Sequence, residues 1–83
     1  MSNAVECWPV THFIEEELLA RKVPLRSFLN LVGMKKQRWD ELHAGRKGLM
    51  ISECERLSGA LGVNIQFIVN LNMRYMDWKR DQE

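Results

Sequence analysis

The chain has 83 residues, of which 46 % are hydrophobic and 28 % charged, and its formal net charge is +1. This composition excludes a disordered tail or a low-complexity repeat, and the length allows one small domain with a modest core. The sequence has no apolar run near the ~18 residues that a membrane span needs, and no signal-peptide pattern. Cys7 and Cys54 form no C-x-x-C pair, which excludes a disulfide framework and predicts a cytoplasmic protein.

Charge is unevenly distributed along the chain. Residues 1–20 carry a net charge of −4, residues 21–47 carry +6, and residues 48–83 carry −1. A basic middle segment predicts an anionic partner that meets this part of the surface. The alternative is a solvated charged surface that pairs with the acidic start of the chain.

Two helices are predicted in the first part of the chain. Thr11 is a plausible N-cap, and a first helix follows it as far as Lys22, with acidic residues early and basic residues late. Pro24 suits the first turn of a second helix, which runs to Val32. Gly33 is a natural stop for that helix, because glycine adopts the left-handed conformation cheaply.

A third helix is predicted from Lys35 to about Ala44. Trp39 and Leu42 (or His43) form its inward stripe, and Gly45 ends it. A basic loop, residues 46–48, follows.

Two further helices complete the predicted architecture. Ser52 is the expected N-cap of the fourth, with Glu55 completing a capping box and Gly62 ending the helix. Asn64 is the expected N-cap of the fifth, which runs to around Lys79. No segment alternates at period two, so the sequence predicts one all-α domain with a core over about residues 11–79 and an arm or loop of about ten residues before it. The expected apolar positions of these two helices are Cys54, Leu57, Ala60, Leu61, Phe67, Ile68, Leu71 and Tyr75.

The turn between the second and third helices has the spacing of a helix-turn-helix. From about Phe13 to Tyr75 the chain resembles the phage-repressor/Cro-like (XRE) helix-turn-helix family, and within it the HigA-type antitoxins. Four segments carry the resemblance: residues 13–18, the turn Val32-Gly33-Met34, the loop Gly45-Arg46-Lys47, and the ending from Arg56 to Tyr75, which includes Ala60-Leu61-Gly62 and Asn70-Leu71.

The resemblance implies a five-helix, lambda-repressor-like fold and a dimeric repressor on a palindromic operator in double-stranded DNA. It also implies an antitoxin that represses its own operon and neutralises a small basic toxin. The third helix would read the major groove, where Lys, Gln and Glu side chains pair with base edges. The base-contact candidates are Lys36, Gln37 and Glu41. The phosphate-contact candidates are Arg26, Lys35, Arg38, Arg46 and Lys47.

The chain departs from the family pattern at two kinds of position. Leu29 and Trp39 are larger than the residues usual at the helix crossing, which predicts helices that are pushed apart or re-angled. Polar positions that usually grip phosphate are apolar here, at Pro24, Leu25 and Ala44. An alternative is therefore a helix-turn-helix that no longer binds DNA and docks a protein, with Glu15–Glu17 as an acidic face for a basic toxin. A second alternative is an architectural or RNA binder that uses only the basic middle segment.

The fifth helix is long for so small a core, which predicts a homodimer. The candidates for its interface are Phe67, Leu71, Tyr75, Met76 and Trp78, with Met73 as further surplus apolar surface.

Other chemistry finds little support in the sequence. Cys7, His12, His43 and Cys54 lack zinc-finger spacing, and Cys54 is expected to be a core residue. The sequence contains no catalytic triad, paired-carboxylate pocket, phosphate loop or dinucleotide fingerprint, so neither an enzyme nor a cofactor is predicted.

Overall fold

The computed structural model describes residues 7–82 and consists of five α-helices joined by short turns. Within that range no residue lies in a β-strand. The predicted all-α class with five helices is therefore confirmed. The helices are α1 (Val10–Arg21), α2 (Leu25–Val32), α3 (Lys36–His43), α4 (Ile51–Leu61) and α5 (Ile65–Asp81).

Most of the predicted helix boundaries agree with the structure to within a residue or two. Pro24 and Asn64 are the N-caps of α2 and α5, and the Asn64 side chain accepts a hydrogen bond from the Gln66 backbone N–H at 2.7 Å. Gly33 and Gly62 end α2 and α4 with φ near +70°. Lys35 and Ala44 flank α3 as its caps. The α5 helix continues two residues beyond the predicted end at Lys79.

Two predicted N-caps are wrong. Thr11 does not cap α1: it lies inside the helix, is fully buried, and Pro9 takes the cap position. Ser52 does not cap α4, because that helix begins at Ile51 with Met50 as its N-cap. The Met50 backbone N–H donates to the Glu53 carboxylate at 2.8 Å, so Glu53, and not Glu55, supports the first turn.

The hydrophobic core draws on all five helices. Helix α1 packs against α3 and α5, and α4 packs against α5 and α2. The predicted inward residues Trp39 and Leu42 are both buried, and Trp39 meets Phe28 edge-to-face with ring centroids 6.5 Å apart. Leu29 is buried as well, so both oversized residues are accommodated within the core. The fully buried side chains at its centre include Ile14, Leu57, Ile68 and Cys54, which confirms the core role predicted for Cys54.

The end of the expected N-terminal arm of about ten residues is part of the folded domain. Pro9 and Val10 are buried, and Val10 already belongs to α1. The remainder of that predicted arm, residues 1–6, lies outside the described residues.

Candidate nucleic-acid interface

One face of α3 is buried and the other is open to solvent. Trp39 is 1 % exposed, whereas Lys36, Gln37 and Asp40 are exposed. The Lys36 ammonium lies 2.6 Å from the Asp40 carboxylate, one turn further along the helix. Both side chains of this ion pair are well exposed, so the pair is weak and the ammonium can exchange partners at little cost. Glu41, the third base-contact candidate, is half-buried.

Two hydrogen bonds fix α3 against α1. The Trp39 indole N–H donates to Glu15 at 3.0 Å, and the Thr11 hydroxyl and His43 Nδ1 are 2.7 Å apart. Together with the burial of the Trp39 ring, these contacts set the rotation of α3 about its axis. The side chains on its outer face are therefore presented in a defined direction.

Arg38 lies in a different environment from the other phosphate-contact candidates. Its Nε and Nη2 donate to the two Glu53 carboxylate oxygens at 2.9 and 2.8 Å, and Nη2 also donates to the Gly48 carbonyl at 3.0 Å. The Glu53 side chain is only 4 % exposed. The hydrogen bonds from Arg38 lower the pKa of Glu53 below its ordinary value, and they outweigh the opposing effect of burial. Glu53 is not among the residues predicted from the sequence; its position three residues after the N-cap Met50 is the signal that identifies it.

The remaining basic candidates are exposed. Arg26 is at the start of α2, Lys35 caps α3, and Arg46 and Lys47 lie in the loop after α3. Helix α5 packs against this loop through Tyr75. Gly45 sits under the Tyr75 ring with φ +76°, so close that a Cβ there would be 2.5 Å from the Tyr75 hydroxyl.

The five residues predicted for a dimer interface differ in their exposure. Tyr75 is buried within its own chain, where it covers Gly45 and stacks on Trp78 at 6.0 Å. Leu71, Met76 and Trp78 are half-buried. Phe67 is exposed along one edge and meets Phe13 edge-to-face at 5.1 Å. Met73 is 57 % exposed and is the most open apolar side chain of α5.

An open cavity of about 650 Å³ lies between the start of α1 and the second half of α5. Apolar and aromatic side chains make up most of its lining, and its charged lining residues are Glu16, Arg74 and Asp77. Trp8, which the sequence did not single out, stacks on His12 at 4.6 Å beside it. The lining aromatic residues are Trp8, His12, Phe13 and Trp78.

The described residues contain neither a metal-binding cluster nor a membrane-spanning helix. Within residues 7–82 no three His, Cys, Asp or Glu side chains come close enough to share a metal ion. Across the same residues, none of the helices combines the length and the apolar character that crossing a membrane requires.

Comparison of the chain with protein-family models, with curated proteins and with solved structures returns no match.

Proposed function

We propose that the chain is a sequence-specific, double-stranded DNA-binding transcriptional regulator with a lambda-repressor-like arrangement, and that α3 enters the major groove. One observation carries the proposal. The start of α3 presents Lys36 and Gln37 on an open face, while the opposite face is fixed by Trp39. Lys donates to guanine and Gln pairs with adenine in the major groove, which an α-helix can enter.

The basic residues around α3 support the same proposal. In the sequence, Arg26 and Lys35 precede the open face of α3, and Arg46 and Lys47 follow it. All four side chains are exposed. Contacts of such side chains with phosphate supply most of the non-specific affinity for DNA and fix the register of a reading helix. Pro24, Leu25 and Ala44 are apolar where the family pattern has side chains that contact phosphate, so fewer polar contacts are available. The four exposed cations would supply phosphate contacts in their place.

The proposal is tested by titrating the protein against its own upstream DNA at about 150 mM salt, with scrambled competitor present. Binding that survives the competitor is expected. The double variant Lys36→Ala/Gln37→Ala should lose at least about tenfold in specific affinity, since each good base contact is worth about 1–3 kcal/mol.

The chain offers a matched control for this double variant. Arg80 and Gln82 are exposed at the end of α5, and Arg80 pairs with Asp77 at 2.7 Å much as Lys36 pairs with Asp40. Arg80→Ala/Gln82→Ala removes one positive charge and one amide group elsewhere on the surface, as Lys36→Ala/Gln37→Ala does on α3. Equal losses in the two double variants would contradict base reading by α3.

A protein-binding function has one observation in its favour. Leu19 is 78 % and Leu31 is 72 % exposed, and Val23 lies between them on the rims of two shallow cavities. Exposed apolar patches mark interaction sites. Within the acidic run expected to attract a basic toxin, Glu15 is engaged, because it accepts a hydrogen bond from the Trp39 indole. Glu16 and Glu17 have only exposed partners at 3.4 Å, His12 and Arg21, and such pairs are weak. This second function would be favoured if the folded protein did not bind DNA and if Leu31→Lys abolished its binding to a protein partner.

A further inference from the structure

Arg38, Glu53 and the backbone of Gly48 and Met50 form one hydrogen-bonded unit, called here the Arg38 clamp. Arg38 belongs to the middle of α3, Gly48 and Met50 to the loop after it, and Glu53 to the first turn of α4. Four hydrogen bonds of 2.8–3.0 Å connect these three elements. A bidentate Arg–carboxylate pair fixes geometry as well as adding energy, which is why it can set the position of a loop.

The clamp acts on the loop that carries two of the proposed phosphate contacts. Arg46 and Lys47 lie between Gly45, which Tyr75 covers, and Gly48, whose carbonyl accepts from Arg38. The next backbone N–H, that of Leu49, is 3.4 Å from the Asn72 side-chain oxygen. Both ends of the basic stretch are therefore held, the first by α5 and the second by α3, α4 and α5 together.

The Arg38 side chain itself is largely committed to the protein. Three of the five N–H groups of a guanidinium are used in the clamp. Releasing them to contact phosphate would leave the nearly buried Glu53 carboxylate without its cationic partner, which is costly. Among the basic residues of the proposed interface, Arg38 is thus the one that the fold employs internally.

We propose that Arg38 and Glu53 are positioning residues for DNA binding: they hold the loop of residues 44–50 beside α3 so that Arg46 and Lys47 meet phosphates on the same duplex. This inference rests on the proposed function. It assigns to Arg38 a role different from the direct phosphate contact that the sequence predicts.

The two roles predict opposite effects for Glu53→Gln. The substitution removes a negative charge near the DNA and loosens Arg38, so a phosphate-contacting Arg38 would bind DNA more tightly and with a steeper salt dependence. A positioning role predicts weaker binding, although the charge has become more favourable. It also predicts a salt slope reduced by about 2, because two phosphate contacts are lost and each contributes about 0.9.

The experiment measures DNA affinity against salt concentration for the wild type, Glu53→Gln, Glu55→Gln and Arg46→Ala/Lys47→Ala. Glu55 is exposed, lies on the same helix and takes no part in the clamp, so Glu55→Gln reports the effect of charge alone. We expect Glu53→Gln to match the double alanine variant in slope, and Glu55→Gln to bind slightly more tightly than the wild type. Glu53→Gln that behaves like Glu55→Gln overturns the inference.

Amide hydrogen exchange of residues 44–50, measured without DNA, separates this inference from the proposed function. Faster exchange in Glu53→Gln than in Glu55→Gln is expected if the clamp holds the loop, and unchanged exchange overturns the clamp. A wild type that shows no specific DNA binding defeats the proposed function and the DNA role of the clamp together. If Glu53→Gln does not fold, Arg38→Lys keeps the charge and loses the bidentate geometry. It should then show the same reduced slope, and wild-type binding by Arg38→Lys overturns the inference.

Discussion

At the scale of single residues, Gly45 is the position where backbone and packing constrain the sequence most. Gly45 and Gly62 both have left-handed backbone, with φ of +76° and +72°. A Cβ at Gly45 would lie 2.5 Å from the Tyr75 hydroxyl, whereas a Cβ at Gly62 would meet nothing within 4 Å. The two glycines therefore share the same conformational requirement and differ in the space available.

We expect Gly45→Ala to lower the free energy of unfolding more than Gly62→Ala does. Both pay the left-handed strain of about 1–2 kcal/mol, and Gly45→Ala adds an overpacking cost of about 1–3 kcal/mol. Urea unfolding of the two variants measures the difference. Tyr75→Phe, which removes the nearest atom, should reduce the cost of Gly45→Ala, and equal losses at the two glycines would contradict the proposed contact.

The lowered pKa of Glu53 predicts that the stability of the fold depends on pH. Its pKa is lowered in the folded protein from an ordinary value near 4.5, first by hydrogen bonds from Arg38. A lowered pKa stabilises the fold above pH 4.5, and this contribution is lost as the pH falls through the folded pKa. The free energy of unfolding should therefore fall below pH 4.5, and less steeply in Glu53→Gln. Parallel pH profiles for the two proteins would contradict this assignment.

At the scale of the helices, the sequence predicts a boundary well where the signal is local. Gly33 ends α2 because glycine accepts a positive φ, and Asn64 begins α5 because its side chain reaches the Gln66 backbone N–H. Thr11 and Ser52 carry the same kind of signal, but contacts distant in sequence override it. Thr11 is drawn into the core beside His43, 32 positions away, and Glu53 supports the start of α4 while it pairs with Arg38.

The same contrast explains how much of the candidate site could be predicted. The outward position of Lys36 and Gln37 and the inward position of Trp39 follow from helical periodicity alone. The ion pair between Arg38 and Glu53 does not follow from periodicity, because Glu53 belongs to another helix. The burial of Tyr75 likewise depends on where the loop at Gly45 crosses α5.

The two candidate N-caps differ in a measurable way. Asn64→Ala removes a cap that the structure contains and should cost about 1 kcal/mol of stability. Ser52→Ala alters an exposed residue inside α4 and should change stability by no more than about 0.5 kcal/mol. Thermal or urea unfolding of both variants makes the comparison. A loss at Ser52 as large as that at Asn64 would mean that α4 begins where the sequence placed it.

At the scale of the whole molecule, size limits what one chain can hold on DNA. The structure measures 42 × 24 × 24 Å, so a single copy covers about one turn of the double helix, which is ~34 Å long. The phosphate contacts proposed for one copy are few, since Pro24, Leu25 and Ala44 offer no polar side chain. A second copy would double the contacts and place a second α3 in the next major groove.

The exposed apolar surface of α5 is where we expect that second copy to bind. Met73 is 57 % exposed and Met76 follows one turn later, beside Gly48 and the loop of the proposed interface. Met73→Glu should convert a dimer to a monomer in analytical ultracentrifugation, because burying an unpaired carboxylate at an interface is costly. Leu19→Glu, a change at an even more exposed residue on α1, is the control and should leave the assembly unchanged.

The two variants also test whether assembly and DNA binding are linked. Met73 lies outside the open face of α3, so a monomeric Met73→Glu protein keeps every proposed DNA contact of a single chain. If a palindromic site is read by two copies, this variant should bind a half-site as the wild type does and lose the steep, cooperative binding to the full site. Equal binding of both variants to the full site would mean that each chain acts alone. Pairing of two α3 helices would then play no part in recognition of the full site.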